Sequence, residues 1–176
     1  AKIAKEYGAS VPFLRPTELA ADNISAVEVM KHAISKLKFK GIVLLLQPTS
    51  PLRSLEDINK GISLIKKNKT AVISVAKYNH NSNLTTFSKP GERFIPISID
   101  NKDLYVPNGA IYIADSEWLL KNNSFYTQDV TTFEMPQLRS IDIDYEYQFL
   151  IAENIFKEID TQIAIPTMLS RVIEIE

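Results

Sequence analysis

Apolar and polar positions alternate along the chain in a way that marks out short strands and amphipathic helices in turn. "GIVLLLQ" (41–47) is an unbroken apolar run of strand length, the pattern of a strand covered on both faces, and "AVISVA" (71–76) is a second. Between them Leu55, Ile58, Ile62 and Ile65 recur at helical spacing, and Ser54 and Asp57 are placed like a capped helix start. Strand, helix and strand with short joins predict a βαβ unit with a right-handed crossover. Upstream, Ser25 and Glu28 have capping-box spacing ahead of a stripe of Val27, Met30, Ile34 and Leu37. "VPFLRP" (11–16) reads as a short strand entering a loop. "AKIAKEYGA" reads as the last turns of a helix closed by Gly8, so the chain is expected to begin inside an element. Further on, "NGAIYIA" (108–114) predicts a strand, "DSEWLLKNN" a short helix, and "RSIDIDYEYQFLIAENIF" a strand followed by a helix.

The stretch 77–107 has a different character, with short β-like runs separated by Asn, Ser, Pro and Gly. It predicts a small hairpin-rich insertion, either a dimerisation arm or a surface excursion with no partner. The ending "TQIAIPTMLSRVIEIE" is broken by Pro166 and predicts no element. The pattern is therefore α/β with a mainly parallel sheet, and in such sheets ligands bind beyond the carboxyl ends of the strands.

Composition narrows the function. With 176 residues, 45% of them hydrophobic, the chain can build one core of ordinary size with room for a small subdomain. Its 20 basic and 21 acidic residues leave a net charge of −1, without the clustered positive charge that a nucleic-acid groove or an anionic membrane surface needs. No apolar run approaches bilayer length, and the first residues lack a signal-peptide pattern. Cysteine is absent, which excludes disulfides, thiolate catalysis and thiolate-bound zinc and fits a cytoplasmic protein. Neither common glycine-rich nucleotide loop occurs. His32 and His80 stand outside any nucleophilic arrangement and read as structural, while Trp118 and Leu119 read as core.

Three polar groups sit at strand ends. In "LLLQPTSPLR" (44–53), two prolines stiffen a loop that carries Gln47, Thr49, Ser50 and Arg53. Guanidinium, amide and hydroxyls suit a carboxylate or phosphate ligand, and the same letters also suit a stiff turn with a surface arginine. In "SIDIDYE", Asp142 and Asp144 would stand side by side on one strand face. Such a pair suits Mg2+ shared with substrate phosphates, or belongs to an ordinary half-exposed strand. In "PNGAIY" (107–112), Asn108-Gly109 reads first as a turn, with an amide aimed at a ligand as the alternative.

Together "FLRPTELAADN", "LLLQPTSPLR", "PNGAIYI" and "SIDIDYEYQFLIAENI" resemble the acylneuraminate cytidylyltransferases, or CMP-sialic acid synthetases, from residue 1 to about residue 156. The resemblance implies a three-layer nucleotidyltransferase-type α/β fold. Its core would take residues 1–76 and 108–158, with the dimerisation insertion at 77–107 and a C-terminal tail at 159–176. It also implies Mg2+-dependent transfer of CMP from CTP to a nonulosonic acid, a sialic-acid-like sugar, by a cytoplasmic homodimer. Asp142 and Asp144 match the family's metal-binding pair, which is also its catalytic pair. Gln47 matches a sugar-contacting glutamine, with Ser50 and Arg53 in the same loop, and Asn108 and Tyr112 match sugar-site positions. Phe125 and Tyr126 fall where the family sets paired aromatics against the acyl-bearing part of the sugar, and Arg15 matches a position near the cytosine.

Two departures from the family pattern carry expectations of their own. The family's basic loop, of the type A-R-x-G-S-K, is absent from this sequence. If Ala1 is the true start, CTP is expected not to bind productively, because triphosphate charge goes uncompensated, and the chain would be a non-catalytic sugar-binding dimer module. In the insertion, Asn83 stands where the family has a cross-dimer lysine, and the expected arginine is missing, leaving Lys77, Arg93 or Lys102 as substitutes. The acceptor is then expected to be a nonulosonic acid related to N-acetylneuraminate, the alternative being another keto-sugar acid such as that of bacterial lipopolysaccharide.

Overall fold

Hydrogen-bonded helix starts and a strongly apolar central strand organise the protein, seen here in a computed structural model that describes residues 1–21, 23–68, 70–78, 87–88, 95–96 and 104–158. The first helix, α1 (Lys2–Glu6), ends as expected near Gly8, whose φ of +87° needs no Cβ to be accommodated. The stretch 11–16 is irregular rather than a strand, with a single bridge residue at Ser10. Pro12 and Pro16 remove backbone donors that a ladder would use. The expected capping box opens α2 (Ala26–Leu37): Glu28 N donates to Ser25 Oγ at 3.2 Å and Ser25 N donates to Glu28 Oε2 at 2.9 Å. Val27, Met30, Ala33 and Ile34 form its buried face.

After β1 (Ile42–Leu45) comes α3 (Leu55–Asn68), whose buried residues are Asp57, Ile58, Gly61 and Ile65. Leu55, expected on that stripe, is 48% exposed. The contact face is centred on Gly61 instead, where an added Cβ would come within 2.7 Å of Ile113 Cδ1 and 3.3 Å of Phe133 Cε1. The six leading residues of β2 (Ala71–Lys77) are all buried. β3 (Phe87–Ser88) and β4 (Ile95–Pro96) make a separate two-stranded antiparallel ladder. His80, Asn83, Arg93, Lys102, the remainder of the expected insertion and the tail 159–176 lie outside the described residues. The chain continues through β5 (Tyr105–Asp115), α4 (Ser116–Lys121), β6 (Thr131–Glu134) and α5 (Glu146–Glu158). Asp115 caps α4, accepting from Glu117 N at 2.8 Å. Among the described residues no helix is long and apolar enough to cross a membrane.

The four-stranded sheet is mixed, with order β1-β5-β2-β6. β5 runs antiparallel to both β1 and β2, and β6 runs parallel to β2. β1 and β2, the two strands joined by α3, therefore run parallel to each other with β5 between them. Burial accounts for the order: Ala110, Ile111, Ile113 and Ala114 of β5 are wholly buried, so β5 takes the centre, while β1 is only half-buried along its length. Helices cover both faces. Val27, Met30 and Ile34 of α2 and Leu119 of α4 pack with Ile73 and Val75 on one side; Ile58 and Ile65 of α3 pack with Val72, Ile111, Ile113 and Phe133 on the other. The period-two alternation along β2 separates these cores.

Two elements differ from the sequence reading near the C-terminal end. Residues 140–143 form no strand. That segment is anchored by Ile143 N donating to Thr49 O at 2.8 Å, a contact with the loop after β1 rather than a ladder. β6 lies in a stretch whose pattern predicts nothing, because Phe133 is the sole apolar residue of "TTFE" to reach the core.

Candidate active site

The carboxyl ends of β1, β2 and β6 and the amino-terminal half of β5 lie along one edge, since Leu45 pairs with Tyr112 and Lys77 with Tyr105. Asn108-Gly109 falls inside β5 and makes no turn. Ile73 pairs with Tyr112, but Val75 pairs with Pro107, so Ser74 alone faces the extra residues of β5. This is a bulge, the usual meaning of a glycine inside a strand. Ser74 Oγ fills the gap, donating to Asn108 Oδ1 at 2.6 Å and accepting from Ile111 N at 2.9 Å. Asn108 is buried with its amide turned inward. Its Nδ2 donates to Ser140 Oγ at 2.8 Å, and its Oδ1 also accepts from Ala110 N at 3.3 Å. The side chain frames the crevice rather than facing it.

Gly109, at φ +72°, forms the floor. A Cβ there would lie 2.8 Å from Asp142 Oδ2, 2.9 Å from Ser50 Oγ and 3.1 Å from Gln47 Oε1. Three side-chain oxygens, delivered by the loop after β1 and the segment before α5, thus converge over one Cα. The fully buried Ser50 hydroxyl links them, 3.1 Å from Asn108 O and 3.3 Å from Asp142 Oδ1. Arg53 serves the loop itself: its Nε donates to Ala110 O at 3.0 Å and a terminal nitrogen donates to Gln47 O. Burial brings its guanidinium down to about 10, so it stays charged at neutral pH and staples the loop to β5.

Asp142 is half-buried in the crevice, whereas Asp144 is exposed at the start of α5. Gln148 Oε1 accepts from Asp144 N and Tyr145 N, both at 2.7 Å, which fixes the backbone that carries Asp144. Tyr112 reaches the same crevice, its hydroxyl 3.4 Å from that of Tyr126. Burial raises its phenol above the ordinary value, and the Tyr126 hydroxyl and the charge of Asp142 raise it further, so it remains neutral. The two aromatics named from the sequence separate. Phe125 packs in the core against Tyr112 at 5.2 Å between ring centroids, and Tyr126 is 67% exposed. Arg15 makes no hydrogen bond to this group, and its Nε is buried without a partner among the described residues. His32 packs edge-on against Phe13, with ring centroids 5.6 Å apart, and its Nε2 is buried without a partner among the described residues.

Sequence reasoning missed an ion pair behind the crevice. Arg139 grips Asp57 with both arms of its fork, Nε to Oδ2 at 2.8 Å and a terminal nitrogen to Oδ1 at 2.9 Å. Asp57 also accepts from Ser54 N and Ser54 Oγ, each at 2.8 Å. Burial alone would raise its carboxyl; Arg139 and Ser54 outweigh that and hold it below the ordinary value. The spacing of Ser54 and Asp57 announced the cap, but an arginine 82 positions away leaves no local signal.

Among the described residues no group of three or more histidine or acidic side chains could hold a metal alone. The oxygens above Gly109 and the exposed Asp144 are nevertheless hard donors, the type that suits Mg2+ when substrate phosphates complete its shell.

No family model matches the chain. Individual proteins do. It is 32% identical over 174 residues to the CMP-N,N'-diacetyllegionaminic acid synthase of Legionella pneumophila, covering 89% of this chain and 73% of that one. It is 32% identical over 177 residues to the post-translational flagellin modification protein B of Campylobacter coli, covering 92% and 74%. The N-acylneuraminate cytidylyltransferase of Escherichia coli is 33% identical over 162 residues, which span 85% of this chain and 38% of that longer protein. On this similarity, which runs through the crevice and most of the fold around it, the chain belongs to the acylneuraminate cytidylyltransferase family.

Proposed function

We propose that the protein transfers CMP from CTP to an acylated nonulosonic acid, releasing pyrophosphate. The oxygen of the hydroxyl on the anomeric carbon forms a bond to the α-phosphorus and its proton passes to solvent water, while the bond from that phosphorus to the bridging oxygen breaks and its electron pair leaves with pyrophosphate. Such an in-line displacement gains mainly from positioning and from neutralised charge. The observation that carries the reading is the convergence of Asp142, Ser50 and Gln47 over Gly109, in a chain whose relatives carry synthase and cytidylyltransferase names.

Asp142 and Asp144 would hold Mg2+, which when bound supplies positive charge to the phosphates. Gln47 offers its amide to sugar hydroxyls or the sugar carboxylate, Ser50 holds Asp142 in place, and Arg53 keeps the loop closed over β5. The neutral Tyr112 and the exposed Tyr126 present hydroxyls and ring edges to the acyl-bearing end of the sugar. Asn108 shapes this wall from behind, and Arg15 is assigned to the nucleotide side. The working form is a cytoplasmic homodimer joined through residues 77–107.

A sugar panel tests the assignment. The protein, CTP and Mg2+ are incubated with N-acetylneuraminate, N,N'-diacetyllegionaminate or the keto-sugar acid of bacterial lipopolysaccharide, and CMP-sugar is measured. Product with either nonulosonic acid is expected. Product with the lipopolysaccharide sugar alone would move the protein to that substrate, and no product with any would leave a sugar-binding module.

A further inference from the structure

The Asp57–Arg139 pair touches none of the crevice oxygens, yet it joins the two segments that deliver them. Asp57 lies in the first turn of α3, directly after the loop that carries Gln47 and Ser50. Arg139 lies in the short 3-10 turn (Gln137–Arg139) directly before the segment that carries Asp142. Whether Asp142 Oδ2, Ser50 Oγ and Gln47 Oε1 meet over Gly109 depends on the separation of those segments.

We infer that Arg139 and Asp57 are positioning residues that set the affinity of the site for a divalent cation. Three further observations support the inference. The turn is held on its other sides as well: Met135 N donates to Val75 O at 2.9 Å, Gln137 Nε2 donates to Lys77 O, and Asn108 Nδ2 donates to Ser140 Oγ at 2.8 Å. The ion pair adds a link from this turn to α3, beside the bond from Ile143 N to Thr49 O that joins the same two segments. It is also over-built for a helix cap, since a cap needs one acceptor for a first-turn N–H, whereas Asp57 takes four donors with its two oxygens. Finally, the fork geometry fixes direction as well as distance, which a lysine at 139 would not do.

This inference rests on the cation reading of Asp142, and its test separates the two. Mn2+ binding is measured by the loss of the free-ion electron paramagnetic resonance signal that protein adds beyond the loss caused by CTP alone, beside the Mg2+ concentration for half-maximal turnover and the melting temperature. Arg139→Ala is expected to weaken cation binding by about 10- to 100-fold, as removal of outer partners of metal ligands does, with kcat largely restored at saturating Mg2+. Arg139→Lys should fall between it and wild type. Asp57→Ala combined with Arg139→Ala should weaken binding no more than the worse single change, as for a coupled pair. Ile65→Val in the distant end of α3 serves as a control that lowers the melting temperature and leaves cation affinity unchanged. Wild-type Mn2+ affinity in Arg139→Ala, with only its melting temperature lowered, would overturn the inference. If Asp142→Ala also keeps wild-type Mn2+ affinity, the cation reading itself falls and the inference falls with it.

Discussion

At the scale of single residues, Gly109 is the most constrained position. Its φ of +72° disfavours any side chain, and the space a Cβ would enter is already bounded by three oxygens within 3.1 Å. Gly109→Ala is therefore expected to cost about 1–3 kcal/mol in urea unfolding from backbone strain, and to displace Asp142 and Gln47 enough to remove measurable CMP-sugar formation. A fully active Gly109→Ala protein would mean that the convergence is not the site. Asp57 gives a second residue-level expectation. Its carboxyl is held below the ordinary 3.8, so the pair contributes stability at and above that value and loses it as pH falls through the depressed one. Acid unfolding followed by circular dichroism should show wild type losing stability below about pH 4 more steeply than Asp57→Asn, with no difference between them in slope near neutrality. Gln47 and Ser50 could be placed beside the crevice from the sequence because their letters follow the end of β1; the pattern puts Asp142 on a strand that does not form, and its place depends on the anchor at Thr49. The inward turn of Asn108 could not be read, since its partners Ser74 and Ser140 lie 34 and 32 positions away.

Among the elements, helix starts were the most legible, because a capping box is a local device: Ser25 with Glu28 and Ser54 with Asp57 close their bonds within four residues. Strands near the site were less so. "SIDID" has strand letters, yet its backbone finds Thr49 O in place of a ladder, and "TTFE" has weak letters but a parallel partner in β2. Asn108-Gly109 has turn letters and makes a bulge, because Ser74 can satisfy the displaced backbone from the neighbouring strand. Tertiary pairing decides all three. The packing of α3 on the sheet turns on Gly61. Gly61→Ala gains up to about 1 kcal/mol of helix propensity. It also forces a methyl to within 2.7 Å of buried Ile113, and overpacking of that kind costs about 1–3 kcal/mol. The clash should win, and chemical denaturation should show a net loss; a more stable Gly61→Ala protein would mean that α3 can shift away from β5 freely.

For the molecule as a whole, the α/β class and the covering of the sheet by helices on both faces follow from period and run length alone. The place of β5 between β1 and β2 does not, since it depends on which strand has most apolar surface to hide, a comparison across the entire sheet. That order has a functional consequence. Because β5 runs against its neighbours, its amino-terminal half meets the carboxyl ends of β1 and β2, and the Gly109 bulge arrives beside Gln47 and Ser50. The segment before α5 then needs only the anchors at Asp57, Asn108 and Thr49 to bring Asp142 to the same point. Whether a divalent cation and CTP phosphates are held at this point is decided by the Mg2+ dependence of CMP-sugar formation in wild type and Asp142→Ala. Wild type should show saturable Mg2+ dependence, and the variant a loss of turnover on the order of 100-fold or more at every Mg2+ concentration. Equal turnover with the same half-saturating Mg2+ in both proteins would contradict that placement.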